Sequence, residues 1–235
     1  MTSVSHTSRY LPSDKMAALI SDHYQLIQVM SRFGIPLGFG DKSVEQTCRE
    51  NNVDCETFLT VVNFVLDGFA NYEAAPEVSI ESLLHYLRQS HIYFLEYFLP
   101  AIRRKLLEGM PLRTDDVSFL IIKFFDEYMR EVRTHMEYEE KTVFTYVRSL
   151  IEGEERTDYK VSTYSDHHDQ VGSKLKELKN LIIKYCPEST DSNMLNDALY
   201  DIFRCEEELE SHCHVEDCLL VPAIVRLEKN SRSAS

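Results

Sequence analysis

The chain has 235 residues, of which 25 are Lys or Arg and 39 are Asp or Glu, giving a formal net charge of −14. So acidic a chain is a poor grip for nucleic acid, which takes clustered positive charge to displace counterions from phosphates. Hydrophobic residues make up 43%, enough for a packed core, and seven Gly with seven Pro are few for this length. Most of those Gly and Pro stand where a helix should stop, so the composition predicts an all-α protein.

Along the chain, the apolar period predicts three modest helices near Asp14–Arg32, Val44–Asn51 and Cys55–Leu66. A glycine-rich turn from Phe33 to Asp41 separates the first two. Gly68 to Pro76 reads as a linker, because Gly, Asn and Pro interrupt the period there. This divides the chain into a small helical N-terminal domain, 1–75, and a larger domain, 76–235. The larger one holds four long helices. Ser79 caps the first and Gly109 ends it; Thr114, Asp115 and Asp116 open the second, which Gly153 ends. The third runs from about Val161 to Tyr185 before Pro187, and the fourth from about Asp191 to Leu227. Long helices on short loops pack as an up-down-up-down four-helix bundle.

The N-terminal stretch has no apolar segment of a signal peptide, and no run approaches the roughly 18 apolar residues of a membrane span. Six cysteines show neither a CxxC pair nor a dense disulfide spacing. A cytoplasmic protein with reduced thiols and no membrane association is expected.

Helical periodicity decides which polar groups point inward. Leu84, Leu87, His91, Phe94, Phe98 and Ile102 form one stripe, and Ile121, Phe125, Tyr128, Val132, His135, Glu139 and Tyr146 a second. His168 falls in line with Val161, Leu175 and Ile182. On the last helix Ile202, Cys205, Leu209, His212, Glu216, Leu219 and Ala223 make the stripe. His167 and His214 fall on wetter faces, and His6, His23 and His85 read as surface or edge residues.

Antiparallel neighbours meet at equal distances from their shared loop. His91 and His135 lie about 27 and 30 Å from theirs at 1.5 Å per residue. His168 and His212 are level within about one turn across the last loop. Four imidazoles thus share a layer with Glu139 and Glu216, each four residues after a histidine on the same face. Burying two carboxylates among Phe, Leu and Ile without compensating charge costs several kcal/mol per ion, and a metal removes that penalty. Two facing His-x-x-x-Glu pairs suit a binuclear site in which His91, His135, His168 and His212 terminate two ions and Glu139 and Glu216 bridge them. An oxo or hydroxo bridge and an open position for a small ligand complete that arrangement. Nitrogen and oxygen donors without thiolate favour iron, manganese or zinc, with iron first.

These residues resemble the hemerythrin-like (HHE) domains, and more closely the di-iron proteins called repair of iron centres. The resemblance rests on His135-Met136-Glu137-Tyr138-Glu139-Glu140 followed by Val143-Phe144, on His168-Asp169, and on His212-Cys213-His214-Val215-Glu216 leading to Leu220-Val221-Pro222. It implies a non-haem di-iron centre held by His91, His135, His168, His212, Glu139 and Glu216. It also implies a role in nitrosative and oxidative stress, repairing or protecting iron-sulfur clusters by iron delivery or nitric oxide handling, with iron-sulfur proteins as clients. The alternative is a reversible dioxygen-binding or sensing module. Phe33-Gly34-Ile35 and Ser43-Val44-Glu45-Gln46-Thr47-Cys48 resemble the small domain that precedes the bundle in this family. Where the family has Cys-Cys-Gly-Gly, this chain has Gly38, Phe39, Gly40 and Asp41.

Overall fold

Two of the N-terminal helices, those beginning at Val44 and Cys55, are started by short polar side chains. Ser43 accepts a hydrogen bond from the Gln46 N–H while the Gln46 side chain accepts one from the Ser43 N–H, a reciprocal cap. Asp54 accepts from the Thr57 N–H at 2.8 Å. At the other extreme, Gly153 takes the left-handed conformation (φ 70°) that closes a helix without a Cβ penalty.

The computed structural model describes residues 9–67, 77–110, 116–153, 169–186 and 191–233. In chain order they form α1 (Met16–Asp22), α2 (Leu26–Arg32), α3 (Val44–Glu50), α4 (Cys55–Leu66), α5 (Ile80–Ile92), α6 (Leu99–Gly109), α7 (Asp116–Tyr138), α8 (Phe144–Glu152), α9 (Asp169–Tyr185), α10 (Ser192–Val215) and α11 (Val221–Ser233). Among the described residues there is no strand, only an isolated bridge between Lys15 and Ser43. The protein is all-α, as its composition implies. The caps expected at Thr114 and Asp115, and the start of the third long helix at Val161, lie outside the described residues.

The chain divides into two compact units, Met1–Ser90 with His214–Ser235, and His91–Cys213. In the first, Met16, Leu19, Leu26, Met30, Phe33, Val44, Phe58, Val61 and Phe64 are buried. The single helix expected over 14–32 is two helices. At His23 the backbone leaves helical geometry (φ −138°, ψ 78°) and re-enters at Leu26. Tyr10 supplies the reason. Its backbone is pinned to α4 by Asn63 on both sides, at 2.8 and 3.2 Å. Its side chain then meets the His23 ring edge-on at 5.8 Å and donates to Asp22 at 3.3 Å. Tertiary contacts outweigh the local preference for one continuous helix.

The second unit is built on one apolar cluster. Residues of α6 (Leu99, Ile102, Leu106), α7 (Ile121, Phe125, Val132), α9 (Leu175, Leu178, Ile182) and α10 (Leu195, Ala198, Ile202) converge in it. The end of α6 meets the start of α10: the Asp191 N–H donates to the Gly109 carbonyl at 3.0 Å, and a Cβ on Gly109 would lie 3.2 Å from the Leu195 backbone nitrogen. Arg103 clasps Asp126 of α7 with two hydrogen bonds (2.6 and 3.0 Å), and Lys105 reaches Asp197 and Asp201 of α10 (2.5 and 2.6 Å).

The long helices are not uniformly α. Tyr93–Phe98, Glu139–Val143 and Glu216–Leu220 are π-helical turns. In each the closing N–H donates five residues back: Leu99 to Phe94, Phe144 to Glu139 and Val221 to Glu216. Pro100 and Pro222 stand just beyond the first and third, and a proline, lacking an N–H, cannot supply the next rung of an α ladder. Among the described residues the uninterrupted 3.6 period expected from sequence therefore breaks at three places, each beside a proposed ligand.

Candidate metal centre

The site is assembled from helix ends. His91 is the penultimate residue of α5, His135 lies in the last turn of α7, and Glu139 opens the π turn that follows α7. His212 lies near the end of α10, and Glu216 opens the next π turn one helical turn further along the same run. That spacing keeps Glu216 on the face that carries His212. The apolar stripes drive these groups inward with their neighbours: Glu139 and Glu216 are 0% exposed, His212 1% and His91 3%.

In the second unit the donor atoms converge. One oxygen of Glu139 lies 3.2 Å from His91 Nε2 and the other 3.0 Å from His135 Nε2, so the carboxylate faces a different imidazole on each side. His91, Glu139 and His212 each offer a donor atom within 4.8 Å of the others. The His91 and His212 rings are 5.1 Å apart at 66°. Phe144 stacks on His91 at 5.5 Å, and Phe94 lies edge-on to His212 at 6.1 Å. His168 and His167 lie outside the described residues. His214 is half-buried and His85 exposed.

Glu140 is a site residue that the periodicity did not select. Its carboxylate lies 3.1 Å from His91 Nδ1. Glu139 and Glu140 are consecutive, yet they reach opposite nitrogens of one ring, at a turn wider than an α-helix allows. The signal in the sequence was an acidic doublet four and five residues after a histidine. It could be recognised only once the turn was known to be π.

These surroundings test the site for a cation. A neutral imidazole has one N–H, yet both nitrogens of His91 face carboxylates. Holding the ring against both requires a second proton or a metal ion on the Glu139 side. Buried carboxylates and imidazoles satisfy one another poorly without added positive charge, and nitrogen with oxygen donors suits iron, manganese or zinc. A carboxylate on the outer nitrogen is also how metal-bound histidines are oriented. The residues present fit a divalent cation.

Comparison with known proteins agrees with this chemistry. The family model described as "Hemerythrin HHE cation binding domain" matches residues 82–228. The chain is also similar to a protein of Staphylococcus haemolyticus named iron-sulfur cluster repair protein ScdA. The two are 19% identical over 211 residues, covering 87% of this chain and 95% of that protein. Among the described residues no helix is long and apolar enough to cross a membrane. With more than half its length matched, and with the matched helices carrying the buried imidazoles and carboxylates, the chain belongs to the hemerythrin HHE cation-binding family.

Proposed function

We propose that this protein holds two iron ions through His91, His135, His168, His212, Glu139 and Glu216, and that it repairs or protects iron-sulfur clusters in the cytoplasm under nitrosative and oxidative stress. The observation that carries the reading is the Glu139 carboxylate, fully buried, with its two oxygens each turned to a different histidine. A carboxylate so placed suits bridging between two ions. The similarity to a relative named for iron-sulfur cluster repair supports the cellular role.

When bound, the iron pair supplies one-electron redox chemistry and coordination positions for a small diatomic ligand such as nitric oxide or dioxygen. The protein's own groups do the rest. Glu140 sets the orientation of the His91 ring by accepting from Nδ1, which leaves Nε2 for the metal. Phe144 and Phe94 cover the rings of His91 and His212 and keep bulk water from them. Retention by imidazole and carboxylate alone, without thiolate, suits iron that can be given up to a client cluster.

The test is anaerobic loading of the full chain with ferrous iron, metal analysis and Mössbauer spectroscopy. Transfer to an iron-sulfur protein damaged by nitric oxide follows. A coupled iron pair in the parent, its loss in the Glu139→Ala, Glu216→Ala double variant, and restoration of the client by the parent alone are expected. Retention of both irons by the double variant would remove the ligand assignment. Reversible dioxygen uptake with no effect on the damaged client would replace repair by carriage or sensing.

A further inference from the structure

Each of the three π turns among the described residues is closed by one N–H, and the residue after that donor decides how the α ladder resumes. After Leu99 it is Pro100, and after Val221 it is Pro222. After Phe144 it is Thr145. A proline there has no N–H, and its ring is opposed by the carbonyl four residues back, so the ladder cannot tighten into a regular α-helix. Thr145 carries an N–H and sets no such limit on the second turn. Something else holds it.

The hydroxyl of Thr145 supplies that hold. A ladder that steps from a five-residue rung to four-residue rungs passes over one carbonyl. After the rung from Phe144 to Glu139, an α rung from Thr145 returns to Lys141, so the carbonyl passed over is that of Glu140. Thr145 Oγ1 donates to it at 3.3 Å. A threonine on a regular helix bonds four residues back, as Thr134 does to Arg130 at 2.9 Å. Thr145 reaches five back because the turn is wide, and the bond gives the Glu140 carbonyl a partner that the α ladder does not.

The phase of this turn governs what meets His91. Glu139 lies 3.2 Å from Nε2, Glu140 lies 3.1 Å from Nδ1, and Phe144 stacks on the ring at 5.5 Å and 10°. Residues five apart on an α-helix point roughly 140° away from each other at about 3.6 residues per turn. Glu139 and Phe144 could not both meet one imidazole from a regular helix, and the π turn brings them to the same side. We infer that Thr145 is a positioning residue for the metal centre: its hydroxyl holds the second π turn in the phase that sets Glu139, Glu140 and Phe144 around His91. Proline does the same in the other two turns by excluding the alternative. The consequence for iron retention rests on the metal reading given above; the phase of the turn does not.

The test compares Thr145→Ser, Thr145→Val and Thr145→Pro with the parent in the full chain. Unloaded protein is read by its thermal midpoint and by the imidazole nitrogen NMR resonances of His91. Protein loaded with ferrous iron is read by the rate at which a chelator removes the metal. Thr145→Ser keeps the hydroxyl and should match the parent in all three. Thr145→Val keeps the shape without the donor, so the His91 resonances should move and iron should leave severalfold faster, with the midpoint within a few degrees of the parent's. Thr145→Pro is expected to keep the parental midpoint, resonances and iron retention, whereas a proline at an ordinary helix-interior position lowers the midpoint by roughly ten degrees. Parental resonances and release rate in Thr145→Val overturn the inference. So does a Thr145→Pro protein that is unfolded or destabilised to the ordinary extent. A parent that takes up no iron removes the metal reading instead, and the His91 resonances and midpoints, which need no metal, then decide this inference alone.

Discussion

The core of the second unit is lined in two ways. At one end Leu106, Ile121, Phe125, Ile182, Leu195 and Ala198 pack on regular α-helices. At the other, His91, Glu139 and His212 take the same inward positions, and there the helices open into π turns. Each large apolar side chain buried at the first end contributes about 1.5–3 kcal/mol. Each ion buried at the second costs several kcal/mol unless it is compensated. The apolar end holds the helices together, and the polar layer is carried on that stability. Regular helices suffice for packing, whereas aiming several polar groups at one point takes an irregular turn.

The comparison is sharpest at Glu139. Glu139→Ala should lower metal affinity by about 100-fold or more, read by chelator competition and metal analysis, while urea unfolding of the unloaded protein changes far less. Phe125→Ala should do the reverse, costing about 3–5 kcal/mol in urea with metal stoichiometry kept in the folded fraction. If Phe125→Ala emptied the site without loosening the bundle, the two ends would not be separable. Next comes Glu140→Gln, which keeps the shape but removes the charge facing His91 Nδ1. Metal affinity should fall about tenfold, with the thermal midpoint of the unloaded protein close to the parent's.

A smaller effect is expected at Tyr128, buried on α7 with no hydrogen-bond partner for its hydroxyl among the described residues. Burial raises its phenol well above the ordinary range. Stability tied to the neutral phenol is fully present below the unfolded value near pH 10 and is lost as pH rises further. Tyr128→Phe should leave stability near neutrality unchanged or raised by up to about 1 kcal/mol, and unfolding against pH should show a weaker alkaline decline. The smallest change is expected for Pro100→Ala. Restoring an N–H beside the first π turn should shift stability by under about 1 kcal/mol and weaken metal binding a few-fold as His91 turns. Unchanged binding would mean that the turn does not aim that ligand.

Much of the architecture was legible because helix faces and ends are local properties. The inward stripes of the first, second and fourth long helices are buried nearly residue for residue, from Leu84 to Ile102, from Ile121 to Tyr146 and from Ile202 to Ala223. Gly153 ends its helix as expected, and so does Gly109. Matching depth from the shared loop put His91 and His135 in one layer, and both meet Glu139. The break at His23 was not legible, since it depends on Tyr10 being held by Asn63, 53 residues away.

Sequence alone therefore determined which side chains face inward, because periodicity, caps and breakers act within a few residues of the chain. It also led to the expectation of imidazole and carboxylate donors. Only the tertiary structure decided how those side chains are aimed. The three π turns among the described residues and the pairing of Glu140 with His91 each settle a competition between local hydrogen bonding and packing on distant segments. That competition is resolved only when the segments are together.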